Sequence, residues 1–325
     1  MKMAEKANIY IFQCFYDTML STFFDQNFYF FYKNLQLVCC DTMMEGKGEP
    51  ALRDGHIHTP FCPHGSRDPL EQYVERAIAL GYTDISFTEH APLPERFLDP
   101  TPEQDSAMAR GALERYLAAI ADVKARYRHD ITIRVGLEVD FIPGFEDETA
   151  KLLDEVGPLL DDSILSVHFL AHNGQYVCLD YSADMFAGIV RLFGSVERVH
   201  AAYYDTVRQS IRADLGRYKP RRIGHMTLVR KFWRRFPCRE PMTERMLAIL
   251  DDIEQFGYEI DYNGAGAAKP LCREPYPPNR LIAEAHRRGI PIVYGSDAHR
   301  AADLHQGRGV MDGEALSVGS RRTSS

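Results

Sequence analysis

The chain has 325 residues, of which 45% are hydrophobic, and its formal net charge is −8. An α/β barrel needs about 250 residues, so the length suits one large domain or two small ones. The negative charge argues against a nucleic-acid groove, which needs clustered Lys and Arg, and leaves room for a small phosphorylated molecule. Seven cysteines without CxxC spacing indicate neither a disulfide framework nor a zinc ribbon, which favours a cytoplasmic protein.

Residues 1–50 differ in composition from the rest of the chain. Eleven aromatic residues fall within the first 32 positions, and Asp17, Asp25 and Lys33 interrupt the run. The segment therefore predicts neither a membrane span nor a signal peptide. Two interpretations stay open. One is an aromatic docking extension, and the other, which we favour, is a start codon assigned too early, with Met43 or Met44 as the true beginning.

From residue 51 onward, strand-like apolar runs alternate with helical patterns. The predicted strands are residues 53–58, 84–90, 131–142, 163–170, 221–226, 258–263 and 291–296. The predicted helices are residues 69–80, 106–127, 147–160, 197–215, 242–256 and 279–288. In the first helix we expect Asp68 as N-cap, Pro69 at the first helical position and Glu71 completing a capping box. The alternation predicts βα units around a parallel sheet.

The pattern alone fits both a closed barrel and an open doubly wound sheet. No glycine-rich phosphate loop follows any predicted strand, which disfavours a nucleotide-binding open sheet.

The C-terminal residues differ in composition from the rest of the chain. Residues 311–325 are predicted to form an irregular tail, because Gly, Arg and Ser dominate and no helical period is visible.

Histidine and acidic residues recur at the ends of six of the seven predicted strands. They are His56 and His58, Glu89 and His90, Glu138 and Asp140, His168, His225, and Asp297 and His299, with His64 shortly after the first pair. The carboxyl ends of barrel strands converge on one mouth, so these side chains are expected to meet there. Imidazoles and carboxylates without thiolates suit zinc, iron(II) or manganese. Such a multinuclear site best serves the hydrolysis of a phosphate ester.

These residues lie in motifs that resemble those of the PHP (polymerase and histidinol phosphatase) superfamily. In order, the motifs are Asp54-Gly-His56-Ile-His58, Thr88-Glu-His90, Gly136-Leu-Glu138, Ser166-Val-His168, Gly224-His225 and Asp297-Ala-His299. The stretches His58-Thr-Pro-Phe-Cys-Pro-His64-Gly and Gly224-His-Met-Thr-Leu-Val-Arg-Lys-Phe232 resemble the histidinol-phosphate phosphatase subgroup more closely. The resemblance covers about residues 53–310, and a domain of residues 51–310 is expected.

The resemblance implies a distorted (β/α)7 barrel with three divalent transition-metal ions (Zn, Fe or Mn) at the carboxyl ends of the strands. It implies that His56, His58, Glu138 and Asp297 hold one ion, that Glu138 bridges to a second held by His168 and His225, and that His64, His90 and His299 hold a third. Asp54 would orient a ligand imidazole.

The implied reaction is the hydrolysis of L-histidinol phosphate to L-histidinol and phosphate in histidine biosynthesis. Arg230 would bind the phosphate, and Asp297 or His299 would protonate the leaving alkoxide. Glu89 and Asp140 are candidate contacts for the substrate ammonium. The expected partner is a small phosphorylated amino alcohol, without nucleic acid or membrane. Two alternatives stay open: a PHP phosphoesterase acting on nucleotides or DNA ends, and a metal-binding module without catalytic activity.

Overall fold

The protein is described here by a computed structural model, which describes residues 52–319. The predicted extension of residues 1–50 lies outside the described residues. In chain order the elements are β1 (Leu52–Ile57), α1 (Leu70–Ala79), β2 (Tyr82–His90), α2 (Leu113–Arg126), β3 (Thr132–Asp140), α3 (Glu146–Val156), β4 (Asp162–Ser166), β5 (Phe169–His172), β6 (Gln175–Cys178), α4 (Ala183–Phe193), α5 (Val196–Arg212), β7 (Arg222–Ile223), α6 (Thr243–Phe256), β8 (Glu259–Asn263), α7 (Ala265–Ala268), α8 (Asn279–Arg287), β9 (Ile292–Gly295) and α9 (Gly313–Gly319).

Seven of the strands form one parallel sheet in the order β1-β2-β3-β4-β7-β8-β9. The two edges approach each other just beyond β1 and β9. The Asp297 N–H donates to the His56 carbonyl at 2.8 Å, and the His58 N–H donates to the Ala298 carbonyl at 3.0 Å. These bonds close the sheet at its carboxyl end, so the structure is a distorted (β/α)7 barrel and the open-sheet alternative is wrong.

The predicted fourth strand, residues 163–170, is wrong in its second half. The strand ends at Ser166, and the chain then turns into an antiparallel hairpin formed by β5 and β6. Two hydrogen bonds hold His168 at this break: its N–H donates to Asp140 Oδ1 at 3.3 Å, and its carbonyl accepts from the Leu179 N–H at 3.0 Å. The hairpin forms part of the wall above the barrel mouth.

Several helix predictions need correction: the short helix α7 was missed, and the α-helix predicted at 106–127 begins only at Leu113. Helix α1 has Pro69 at its N-cap without a side-chain cap, because the Asp68 carboxylate instead accepts the Ala301 N–H at 3.0 Å. Helix α4 was missed, although Ser182 caps it through the Met185 N–H at 3.1 Å. The tail predicted as irregular contains α9, which begins where Asp312 Oδ1 accepts the N–H groups of residues 314 and 315.

The opposite end of the barrel is filled by charged side chains from the first residues of the strands. Asp162 Oδ2 accepts from Arg53 at 2.7 Å, from Arg222 at 2.8 Å and from the Ser86 hydroxyl at 2.6 Å. Arg222 is only 1% exposed. The carboxyl end is therefore the open end of the barrel. Among the described residues, no helix is both long and apolar enough to cross a lipid bilayer.

Candidate metal centre

A cavity of about 560 Å³ opens at the carboxyl ends of the strands. Seven of the nine predicted ligand residues line it: His64, His90, Glu138, His168, His225, Asp297 and His299. The other two, His56 and His58, lie beneath it and are fully buried. The barrel thus brings all nine residues to one place, as the strand-end pattern predicts.

Glu138, at the end of β3, lies at the centre of the donor set. Its Oε1 is 2.9 Å from His225 Nε2 and 3.8 Å from His168 Nε2. Its Oε2 is 3.2 Å from His90 Nδ1 and 3.4 Å from His56 Nε2. Burial raises the pKa of this carboxyl, but the surrounding imidazoles outweigh burial and hold the pKa well below its usual range. The two oxygens of an ionised Glu138 therefore face different groups of imidazoles, which is the arrangement a bridging carboxylate needs.

Asp297 follows β9 in a backbone conformation that few side chains adopt. Its φ is +52°, in the left-handed region, which aspartate tolerates better than bulky residues do. Its Oδ1 lies 3.2 Å from His58 Nε2 and 3.5 Å from His299 Nδ1, while Asn263 donates to Oδ2 at 3.1 Å. Burial raises the pKa of Asp297, but His56, His58 and His299 together hold it well below its usual range. Asp297 is therefore an ionised donor facing two imidazoles.

Three of the imidazoles are oriented by buried carboxylates that contact the Nδ1 atom of each ring. The pairs are His56 Nδ1 with Asp261 Oδ2 at 2.9 Å, His58 Nδ1 with Glu89 Oε1 at 3.2 Å, and His168 Nδ1 with Asp140 Oδ1 at 2.8 Å. Each pair leaves the Nε2 atom directed at the centre of the site, as is usual for histidines that bind metals.

These pairs change the roles expected for three acidic residues. Asp54 does not orient an imidazole: its Oδ1 accepts the backbone N–H groups of His56 at 3.2 Å and Ser296 at 2.9 Å. Glu89 and Asp140 bind candidate ligand histidines, so the carboxylate oxygens in these pairs are not free to contact a substrate ammonium. Asp261 was missed because it lies on β8, far from its partner in sequence.

The unpaired atoms of the site fit a group of cations. His56 Nε2, His58 Nε2, both ring nitrogens of His90, His225 Nδ1 and Glu138 Oε2 are buried without a hydrogen-bond partner. Such atoms are costly to desolvate unless something binds them. Burial lowers the pKa values of His90 and His299 well below their usual range, and the nearby His58 lowers both further. These shifts favour the neutral form of both rings, which is the protonation state of a metal-binding imidazole.

Three groups of donor atoms could each hold an ion. Within each group, all the atoms lie within 4.8 Å of one another. The groups are His56, His58 and Glu138; Glu138, His168 and His225; and His58, Cys62, His90 and His299. The second group equals the predicted set. The first lacks Asp297, and the third contains Cys62 where the resemblance implies His64.

His64 lies at the exposed rim of the cavity. Its Nδ1 is 2.8 Å from the Asp105 carbonyl oxygen. A carbonyl only accepts hydrogen bonds, so Nδ1 carries the proton. The lone pair of Nε2 is then available to bind a metal ion. The His64 ring centroid lies 5.2 Å from that of His90 and 5.1 Å from that of His299.

Arg230, the predicted phosphate ligand, is not among the residues that line the cavity. Its Nε donates to Glu274, and its guanidinium stacks on Trp233, with Cζ 5.1 Å from the ring centroid. Lys231 lines the cavity instead. The reason is local: residues 228–232 form a 3₁₀ helix, in which positions three apart share a face, so Lys231 faces the cavity together with Leu228.

Lys231 is held by an acidic residue that the sequence reading did not single out. Its Nζ lies 2.8 Å from Asp180 Oδ2, and both residues line the cavity. Burial lowers the pKa of the Lys231 ammonium, but Asp180 outweighs this and raises the pKa above its usual value. The sequence has four basic residues here, Arg230, Lys231, Arg234 and Arg235, and the phase of the 3₁₀ helix places Lys231 among the cavity residues.

Comparison with known proteins identifies the family of the chain. The profile of the PHP domain matches residues 54–264. The chain is 50% identical over 256 residues to the histidinol-phosphatase of Bacillus subtilis (strain 168), covering 78% of this chain and 95% of the relative. A crystal structure from Listeria monocytogenes, provisionally assigned as a histidinol phosphatase, superposes with a TM-score of 0.76 at 40% identity, covering 79% of this chain and 99% of that one.

A second crystal structure shares the fold at lower identity. It is the histidinol phosphate phosphatase of Lactococcus lactis complexed with zinc, L-histidinol and phosphate, with a TM-score of 0.60 at 20% identity. It covers 81% of this chain and 93% of that chain. The family profile and the extended identity to a full-length relative leave one assignment: the chain belongs to the PHP family and, within it, to the histidinol-phosphatases.

Proposed function

We propose that this protein hydrolyses L-histidinol phosphate to L-histidinol and phosphate, as a metal-dependent phosphomonoesterase of histidine biosynthesis. The observation that carries the proposal is the ionised Glu138, which lies among imidazoles with unpaired nitrogens in a chain half identical to a histidinol-phosphatase. Support for the substrate comes from the Lactococcus lactis relative, whose crystal structure contains L-histidinol and phosphate.

The donor set supports three divalent transition-metal ions, which we expect to be zinc, iron or manganese. Glu138 would be shared between an ion at His56 and His58 and an ion at His168 and His225. Asp297 would join the first ion, since its Oδ1 lies 3.2 Å from His58 Nε2. Such ions polarise phosphoryl oxygens and lower the pKa of water towards about 7.

The third ion would lie against His90 and His299, at the outer end of the donor set. His64 would reach it from the rim through its free Nε2, as the resemblance implies.

Lysines rather than Arg230 would bind the phosphate. Lys231 lies in the cavity wall with its charge maintained by Asp180, and Lys269 lines the cavity at an exposed position following α7. Two ammonium groups in the lining of the cavity favour a dianionic phosphate. Asp105, also in the lining, places negative charge at the rim, where the substrate ammonium would lie.

Asp297 is the residue we assign to proton transfer. It is ionised, so its carboxylate would accept a proton from the attacking water and pass it to the leaving alkoxide. His299 Nδ1, 3.1 Å from the Asp297 carbonyl oxygen, would keep the turn that carries Asp297 in place. Asp297 thus acts first as base and then as acid.

A panel of phosphate esters tests the assignment. L-histidinol phosphate should give a higher kcat/KM than AMP, phosphotyrosine or a DNA 3′-phosphate, because the cavity has cationic and acidic side chains for the two ends of a small zwitterionic ester. A higher kcat/KM for any of the other three would contradict the assignment. Chelation should abolish turnover and Zn, Mn or Fe should restore it, which a metal-binding module without catalytic activity would not show.

A further inference from the structure

The backbone turn that carries Asp297 is held by two different parts of the chain. Its N–H groups bond to β1: the Ser296 N–H donates to Asp54 Oδ1 at 2.9 Å, and the Asp297 N–H donates to the His56 carbonyl at 2.8 Å. Its carbonyls bond to one side-chain amide. Gln306 Nε2 donates to the Ser296 carbonyl at 2.7 Å and to the Asp297 carbonyl at 3.3 Å. Gln306 lines the metal-site cavity, and the proposed function makes no use of it.

The orientation of the Gln306 amide follows from these partners. Carbonyl oxygens only accept hydrogen bonds, so the amide nitrogen, with its two hydrogens, must face both of them. Ser296 is fully buried, and a buried carbonyl is costly to leave without a donor. A glutamate of the same size could not replace Gln306, because an ionised carboxylate has no hydrogen to donate.

The backbone of Gln306 is itself fixed in place. The hydroxyl of Tyr294, on β9, donates to the Gln306 carbonyl at 2.8 Å, and the Gln306 N–H donates to the Asp303 carbonyl at 3.1 Å. A Cβ atom on Gly264 would lie 2.1 Å from the Gln306 carbonyl oxygen, so a glycine is needed for this close approach. The side chain of Gln306 therefore reaches the turn from a fixed point.

Asp297 needs such support because of its backbone conformation. A φ of +52° is unfavourable for a residue with a side chain, yet it sets the direction of the Cα–Cβ bond and thereby places Oδ1 3.2 Å from His58 Nε2. We propose that Gln306 is a positioning residue, whose amide holds this turn in the left-handed conformation and so directs the Asp297 carboxylate at the metal centre. The inference rests on the proposed function, in which Asp297 joins the first ion and transfers a proton.

Gln306→Leu removes both hydrogen-bond donors with little change in side-chain size. In the metal-loaded variant kcat should fall roughly 10- to 100-fold, because a small displacement of a reacting group is costly. KM should change less than about threefold, since Lys231 and Lys269 would bind the phosphate independently of this turn. Gln306→Glu also removes the donors and should show the same fall, which keeps the test open if the leucine variant does not fold.

Asn279→Leu is the matched control. Its amide donates to the Val310 carbonyl at 2.9 Å, in the same C-terminal segment, and Asn279 is not among the residues that line the cavity. Urea unfolding should show a loss of stability in this variant, whereas kcat should stay at the wild-type value. The control separates a loss of stability in this segment from a loss of Asp297 positioning.

A double-mutant cycle on metal affinity provides a readout that does not depend on turnover. Chelator competition for Zn²⁺ should show that Gln306→Leu weakens the binding of one ion by about tenfold, because a carboxylate ligand is displaced. Asp297→Gly removes that carboxylate and leaves a residue that adopts positive φ freely. In the Asp297→Gly background, Gln306→Leu should weaken Zn²⁺ binding by less than about twofold, since the group through which it acts is gone.

Equal losses of affinity in both backgrounds would overturn the inference, as would wild-type kcat in Gln306→Leu or Gln306→Glu. Either result would leave the proposed function intact if the wild type hydrolyses L-histidinol phosphate. A metal-loaded wild type without that activity would overturn the proposed function instead, and the affinity cycle would still decide the role of Gln306.

Discussion

The side chains of His56 and Asp261 form a fully buried pair beneath the metal centre, with Nδ1 2.9 Å from Oδ2. The same carboxylate oxygen accepts the His225 N–H at 3.2 Å and the Asn263 amide at 3.2 Å. A Cβ atom at Gly295 would lie 2.2 Å from Asp261 Oδ1, which explains why a glycine occupies that position on β9. One carboxylate therefore orients the ring of one candidate ligand, His56, and the backbone that carries another, His225.

Asp261→Asn should weaken metal binding by about 10–100-fold, the usual effect of losing a carboxylate behind a ligand histidine. Competition with a chelator measures this affinity, and excess metal should restore part of the turnover. The control is Asp252→Asn, an equally buried carboxylate paired with Arg208 and Arg212. The control should lose stability but keep its metal affinity. Unchanged affinity in Asp261→Asn would show that the His56 ring is oriented by other means.

Lys231→Ala should lower kcat/KM by roughly 10–100-fold, because a charge-assisted phosphate contact contributes about 1.5–3 kcal/mol. Metal content should not change, since Lys231 belongs to none of the donor groups. Arg230→Ala is the matched control, because its guanidinium is bound to Glu274 outside the cavity. Steady-state kinetics on both variants show which of the two side chains binds the phosphate. A loss confined to Arg230→Ala would restore the assignment drawn from the sequence.

Arg222→Met should destabilise the protein by about 3–5 kcal/mol, because it leaves a buried carboxylate without one of its partners. Arg222 is 1% exposed and donates to Asp162 and to the Gly55 carbonyl inside the barrel. The control Arg134→Met breaks a partly exposed pair with Asp84 and should cost about 1 kcal/mol or less. Urea unfolding of the metal-free proteins compares the two. Equal losses would mean that burial of the charge does not matter here.

His200→Phe should make stability less dependent on pH. Burial, with a smaller effect of Arg230, lowers the pKa of His200 to about 4, and neither ring nitrogen has a hydrogen-bond partner. Between that value and the unfolded value of about 6.5, the unfolded chain binds more protons, so stability falls as pH falls through this window. At pH 5 the variant should gain about 2 kcal/mol relative to the wild type, beyond any difference at pH 7.5.

Chemical denaturation at the two pH values tests this expectation. The control is His129→Phe at an exposed position, which should show no such gain. A pH dependence in His200→Phe that equals that of the wild type would contradict the buried neutral imidazole.

Much of the metal centre was visible in the sequence, because its signals are local. Side chains alternate along a strand, so His56 and His58 share a face, and apolar runs between helical patterns predict parallel strands. Parallel strands must place their carboxyl ends together. Residue identity and strand phase were therefore sufficient to predict the parallel sheet and the cluster of histidine and acidic residues at the strand ends, whereas the resemblance to the PHP superfamily implied the barrel and the nine candidate ligands.

The remaining features depend on contacts that sequence spacing does not encode. Closure of β1 against β9 selected the barrel over the open sheet, and the same closure placed Asp261 behind His56 across 205 positions. The phase of one 3₁₀ turn put Lys231 rather than Arg230 into the cavity. The path of one loop buried Cys62 and left His64 at the rim. Each outcome follows from how distant segments pack, since a loop or turn takes its direction from the surface beneath it.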